Sequence, residues 1–338
     1  MALAHGVASL PGGDRALNSA RVQEGTRRGD KTALSDQNGC MSKTALALLN
    51  QPSGDTPPHK PGGPAFELVD PAVPHVSALD LVATRGDGIF EGISVSAGHA
   101  HAVDAHLRRF AMSAAKLDLP VPDPTVWRAA IDAVLAELDA TDEASIKTVM
   151  TRGIEGDPEA RPTGWVYGWP APDHTAARTT GIAVVTLDRG YRHDIEQTAP
   201  WLLAGAKTLS YAINRAVLRE AARRGADDVI FVSSDGFVLE GPTSSVLFRR
   251  GNTLLTPGTG LGILDGTTQG DLFAWAKEHR MQTGFELLTP ADLVKADALW
   301  LVSSGRQAAP IRAIDGVEHE IDHELTAAMN GYLLGRTS

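Results

Sequence analysis

Short apolar runs alternate with helix-period segments from Phe66 to Val302, and Pro170-Ala171-Pro172-Asp173-His174 interrupts them once. That alternation constrains the fold most, because elements of period 2 and period 3.6 hide their apolar sides only by layering strands and helices. Leu107, Phe110, Ala111, Ala114 and Leu117 recur at spacings of three and four, which predicts a helix over 104–117. Trp127, Ile131, Val134 and Leu138 predict a second over 124–138, and further helices are expected over 211–223 and 267–278. Strands are expected at 91–98, 146–151, 164–168, 181–187, 229–232, 237–240, 246–248 and 298–302, with Ser234-Asp235-Gly236 as a hairpin turn. The proline-rich break then divides two α/β halves, 63–172 and 173–338.

Residues 1–62 have a different character. Pro11-Gly12-Gly13-Asp14, Gln51-Pro52-Ser53-Gly54-Asp55-Thr56-Pro57-Pro58 and Pro61-Gly62-Gly63-Pro64 are turn-like clusters with little apolar surface to offset ordering entropy. They predict a disordered extension, with order beginning near Phe66; a start of the true chain at Met41 or later is the alternative. Asp14, Glu24 and Asp30 argue against a transit peptide, and no long apolar segment marks a signal peptide. Cys40 is the only cysteine, so no disulfide forms within the chain. The net charge of -10 and the lack of a basic run exclude nucleic acid as an expected partner. No apolar run approaches the roughly 20 residues that span a bilayer. A soluble, cytoplasmic protein is expected.

Three groups of residues carry candidate chemistry. Lys207 follows Leu202-Leu203-Ala204-Gly205-Ala206, which hold no charge. A lysine in such surroundings loses its proton more readily and becomes a nucleophilic amine, although most lysines are simply solvated. Glu240 shares a strand face with Val238, where an acid needs a partner; a pyridinium N–H would serve, and so would water at a strand end. Hydroxyls on Thr243, Ser244 and Ser245, the loop Leu264-Asp265-Gly266-Thr267-Thr268 running into a helix, Ser304, and Arg109 on the first helix together offer an anion site. The pattern points to pyridoxal 5'-phosphate (PLP). His99, His101 and His106 lack a supporting Cys or carboxylate cluster, so no metal is expected. Gly258-Thr259-Gly260-Leu261-Gly262 lacks the spacing of a nucleotide loop.

These segments, in this order over residues 80–316, resemble the class IV aminotransferase family. Arg85-Gly86-Asp87-Gly88-Ile89-Phe90-Glu91 is similar to its early Gly-Asp-Gly-Phe-Glu segment, and His106-Leu107-Arg108-Arg109-Phe110 to its His-x-x-Arg-Leu helix. The resemblance implies a two-domain α/β (α+β) PLP fold of type IV. It implies Lys207 as the Schiff-base lysine and Glu240 on the pyridine nitrogen, with Tyr211 near the cofactor O3′ and Leu264 on the ring. Arg109, Thr267, Thr268 and Ser304 then surround the phosphate. Thr267 replaces the usual isoleucine. Thr151-Arg152-Gly153 is similar to a strand end of the family's lyases and D-amino acid aminotransferases, which makes Arg152 the candidate for a substrate carboxylate.

Within the family the segments look most like 4-amino-4-deoxychorismate lyases, which make p-aminobenzoate and pyruvate for folate biosynthesis. A transaminase acting on D-amino or branched-chain acids is the alternative, and a non-catalytic PLP-binding member the second. A small-molecule amine as substrate and a homodimer are implied by the resemblance.

Overall fold

The computed structural model describes residues 43–138, 143–159 and 161–337. The first part runs β1 (Ala45–Leu49), β2 (Phe66–Val69), α1 (Leu81–Arg85), β3 (Gly88–Ser96), β4 (His99–Ala100), α2 (Val103–Lys116), α3 (Pro124–Glu137), β5 (Ala144–Thr151) and β6 (Gly164–Pro170). Its six strands form an antiparallel sheet in the order β2-β1-β6-β5-β3-β4. Helix α3 starts where Asp123 accepts from the N–H groups of Thr125 and Val126, with Pro124 in the first turn. One face of the sheet packs on α2 and α3, burying Ile89, Ile93, Ile146 and Met150 against Phe110, Trp127 and Ile131. Side chains alternate along a strand. The other face therefore carries Phe90, Val149 and Trp165 in one row, and Gly92, Lys147 and Tyr167 in the next.

Part of the expected disordered extension is ordered. Ala45, Ala47 and Leu49 are buried, and β1 sits inside the sheet between β2 and β6. Five residues of alternating pattern become a strand here because β6, far along the chain, supplies a partner from Gly164 to Gly168. Residues 1–42 of that extension lie outside the described residues, as does Cys40.

The second part runs α4 (Thr175–Thr179), β7 (Ile182–Asp188), α5 (Ile195–Thr198), α6 (Ala212–Arg223), β8 (Asp228–Val232), β9 (Ser245–Arg250), β10 (Thr253–Thr256), α7 (Thr267–Glu278), β11 (Gln282–Phe285), α8 (Pro290–Leu293), β12 (Ala298–Ser303), β13 (Gln307–Ile314), β14 (Val317–Glu318) and α9 (His323–Leu334). The sheet order is β11-β10-β9-β12-β13-β7-β8, with β14 on β13. It is mixed: β10–β11, β13–β7 and β7–β8 are parallel pairs. Helices α7 and α9 cover one face through Leu272, Trp275, Met329 and Leu333, which meet Trp300 of β12. Trp300 also donates its indole N–H to Thr326 at 2.8 Å.

The expected strand 237–240 is instead an irregular return. It is tied to β8 by Leu239 N–H to Phe231 O and Phe231 N–H to Glu240 O, both 2.8 Å, while Val238 donates to Leu288 O. β13 and α9 were not apparent in the sequence. The two sheets divide between Pro170 and Ile182.

One contact between the two parts positions the site. The edge of β3 at Gly88–Phe90 is not covered by β4, which pairs only with Val95 and Ser96. The lysine segment fills it: Phe90 N–H donates to Lys207 O at 3.1 Å and Leu209 N–H to Gly88 O at 2.8 Å.

Candidate active site

Lys207 is held by its backbone. Besides the bond to Phe90, its N–H donates to Ser113 Oγ of α2 at 3.1 Å. Gly205, two residues earlier, has φ +76°, and a Cβ there would press on Lys116 Nζ and Ile263 O. Glycine is what that turn demands. The Lys207 amine lies 4.7 Å from the Phe90 ring centroid. Desolvation, reinforced by the Arg109 charge, lowers its pKa to about 8. Tyr211 stands against the same ring, edge-on at 5.4 Å, and donates its hydroxyl to Pro242 O at 2.8 Å.

Glu240 belongs to the same cluster, and its charge and that of Lys207 act on each other. Burial raises its carboxyl to about 7, although Leu264 N–H donates to Oε2 at 3.1 Å. An acid so placed gains most from a cationic N–H partner.

The anion cup forms at the start of α7. Gly266 is the N-cap and no side chain caps this helix end, so its first N–H groups remain available. Ser245 Oγ packs directly on Gly266, leaving no room for a Cβ. Arg109 donates through Nη1 to Asp265 O at 2.7 Å. Thr267 Oγ1 and Ser304 Oγ lie 3.4 and 3.3 Å from His106 Nε2, and Thr268 is buried behind them. Ser244 is buried with a hydroxyl that has no hydrogen-bond partner among the described residues, whereas Thr243 is exposed. Leu264 is half-buried beside Glu240.

Two further residues organise this cup. Glu91, on β3, receives Arg109 Nε at 2.8 Å and Nη2 at 2.6 Å, and His106 Nδ1 at 2.7 Å. Burial alone would raise its carboxyl; the Arg109 charge and both donors outweigh that and hold it at about 2. An ionised carboxylate only accepts, so His106 donates from Nδ1 and turns Nε2 toward the hydroxyls as an acceptor. Burial lowers the His106 pKa, consistent with a neutral ring. Glu91 stands in the segment that marked the family and His106 three residues before Arg109, yet neither had a role assigned from sequence. The i, i+3 spacing of His106 and Arg109 on one helix face was the available signal.

Arg152 does not join the cluster in the expected way. Its fork holds both Asp87 carboxylate oxygens, at 2.7 and 3.3 Å, and also donates to Leu117 O at 2.6 Å and Asp118 O at 3.3 Å. A guanidinium whose donors face Asp87 and two carbonyls acts as a clamp between β3, β5 and the end of α2, leaving little for a substrate carboxylate. The three histidines disperse: His99 bonds Ala97 O, His101 bonds Ser96, and His106 bonds Glu91.

This arrangement of lysine, glutamate and anion cup between two such sheets defines a PLP enzyme of fold type IV. The family model for amino-transferase class IV matches residues 88–314, and the chain belongs to that family. It is 45% identical over 260 residues to a bifunctional aminodeoxychorismate lyase / D-amino acid transaminase of Mycobacterium tuberculosis, covering 74% of this chain and 89% of that protein. A fold IV transaminase from Curtobacterium pusillum superposes with TM-score 0.82 at 52% identity, over 87% of this chain and all of that one. The PLP-bound form of a hypothetical aminotransferase from M. tuberculosis gives 0.78 at 39% identity, over 86% and 99%. The residues present fit PLP: a phosphate matches the open helix end with Arg109, and the raised Glu240 carboxyl suits a ring N–H. The lowered Lys207 amine suits an aldehyde. Among the described residues no helix is long and apolar enough to cross a membrane.

Proposed function

We propose that the protein is a transaminase, moving an amino group from a carboxylate-bearing amine to a 2-oxo acid. The carrying observation is that Lys207, lowered to about 8, and Glu240, raised to about 7, titrate near neutrality within one cluster. Arg109, Thr267, Thr268 and Ser304 would hold the PLP phosphate, Glu240 the ring nitrogen and Lys207 the aldehyde carbon, with Leu264 and Tyr211 beside the ring. When bound, PLP supplies an electron sink that acidifies the C–H next to the substrate nitrogen. Lys207 Nζ takes that proton and gives it back at a second position, which a group with a pKa near the working pH does in both directions. A cationic ring N–H facing Glu240 would favour its anionic form. Phe90 lies beside the amine, and Tyr211 packs edge-on against that ring.

The 52% identical protein is a transaminase by name, and the 45% identical one carries transaminase in its name as well. The latter's name also favours a second reading, aminodeoxychorismate lyase, which shares the proton removal at Lys207 and ends in loss of pyruvate. Holoenzyme supplied with D-alanine and 2-oxoglutarate, or a branched-chain donor and 2-oxoglutarate, should form glutamate. Aminodeoxychorismate as substrate tests for p-aminobenzoate. Release of p-aminobenzoate without glutamate from any donor overturns the first reading. The proposal includes a homodimer, supported by Trp201 and Leu202, which are 73% and 56% exposed just before Lys207. Light scattering should give two chains per particle.

A further inference from the structure

The two walls of the phosphate cup come from different parts of the chain, Arg109 and His106 from α2 and Thr267 and Thr268 from α7. Both walls are also tied to the end of α9. Ser96, the last residue of β3, donates its hydroxyl to Leu334 O at 2.7 Å, a carbonyl left without an intrahelical partner where α9 ends. With its one proton so committed, the hydroxyl accepts from His101 Nε2, 2.6 Å away. His101 stands two residues before α2 begins. Its ring is buried, and its Nδ1 has no hydrogen-bond partner among the described residues. Burial, reinforced by the Arg336 charge, lowers its pKa to about 4, so the ring is neutral with its proton on Nε2. Arg336, two residues past α9, pairs through Nη1 with Asp271 of α7 and folds Nε back onto Leu333 O at 3.0 Å. Asp271 lies one turn beyond Thr267 on the same helix face. Residues 334–336 thus hold the lead-in to α2 and the second turn of α7 at once. Inside the cup the walls meet through Arg109 and Asp265 O; the end of α9 adds a second tie that uses no cup residue. A phosphate that bridges two walls needs both at hydrogen-bond distance, so a small shift of either wall costs affinity.

We propose that the end of α9 is a strap across the two parts of the chain that sets the spacing of the phosphate cup, with Ser96 and Arg336 as positioning residues for PLP. The strap serves the cofactor, so it holds for amino transfer and lyase chemistry alike. Full-chain apoprotein is titrated with PLP and with pyridoxal, the same aldehyde without the phosphate, following the absorbance of the bound ring. Ser96→Ala and Arg336→Met should each weaken PLP about three- to tenfold, the scale of a lost hydrogen bond, and leave pyridoxal within about twofold. Asp271→Asn releases the α7 end from its other side and should behave as Arg336→Met does. Ser96→Ala and Arg336→Met combined should be little worse than either alone, because a strap released at one end no longer holds at the other. The phosphorus NMR signal of each holoenzyme reports the cup directly, and in the single variants it should move toward that of free PLP. Unchanged PLP affinity in a single variant, parallel loss of PLP and pyridoxal, an unmoved phosphorus signal, or effects that add in full in the double variant overturns the proposal.

Discussion

Replacing Glu91 by glutamine tests how the cup is held together. The carboxyl falls from 4.5 to about 2 on folding, because Arg109 and His106 outweigh its burial. At about 1.4 kcal/mol per pK unit, that shift is about 3 kcal/mol of stability, in line with the about 3–5 kcal/mol expected when a buried pair loses one charge. The folded pKa is depressed, so this stability is fully present above about 4.5 and is lost as pH falls toward about 2. About a third to a half of it should be gone by pH 3.5. Urea unfolding of the apoprotein, followed by tryptophan fluorescence, should show Glu91→Gln less stable by about 3 kcal/mol at pH 7. The gap should close as the solution is acidified, because protonated Glu91 and glutamine are alike in charge. A gap under about 1 kcal/mol at pH 7, or one that does not shrink in acid, would refute the reasoning.

Three other outcomes follow from the same geometry. With a pKa of about 8, roughly a quarter of Lys207 is neutral at pH 7.5, against about 0.1% for an ordinary lysine, so PLP uptake by apoprotein should level off above about pH 8 in stopped-flow absorbance; a rate still climbing at pH 10 would discard the shift. Glu240→Gln should keep PLP bound but lower kcat by about two orders of magnitude, since the group facing the ring nitrogen would no longer be an anion. Arg152→Met should cost about 1 kcal/mol in thermal or urea unfolding, the scale of a partly exposed pair with its carbonyl contacts, while KM for D-alanine stays within about twofold; a large KM increase would return Arg152 to the substrate site.

Where chemistry lies on neighbouring residues, the chain is legible. Lys207 after a charge-free run, Glu240 in Leu239-Glu240-Gly241 and the Gly266-Thr267-Thr268 turn into a helix each announce themselves within a few positions. The long helices α2, α3, α6 and α7 follow directly from apolar spacing. Strand β1 is different: its five residues precede a stretch dense in proline and glycine, and pairing with β2 and β6 makes them a strand. Glu240's approach is irregular because Val238 must also reach Leu288.

The primary structure therefore determined the family and the cofactor chemistry and singled out Lys207 as the candidate amine, since each depends on residue types held at short spacing. Tertiary structure alone decided that Glu91 and His106 would brace Arg109, that Asp87 would claim Arg152, and that Lys147 and Lys207 would approach the same aromatic ring. Those outcomes depend on which strands lie side by side, and strand order is set by the burial of whole sheet faces, which no short window of sequence encodes.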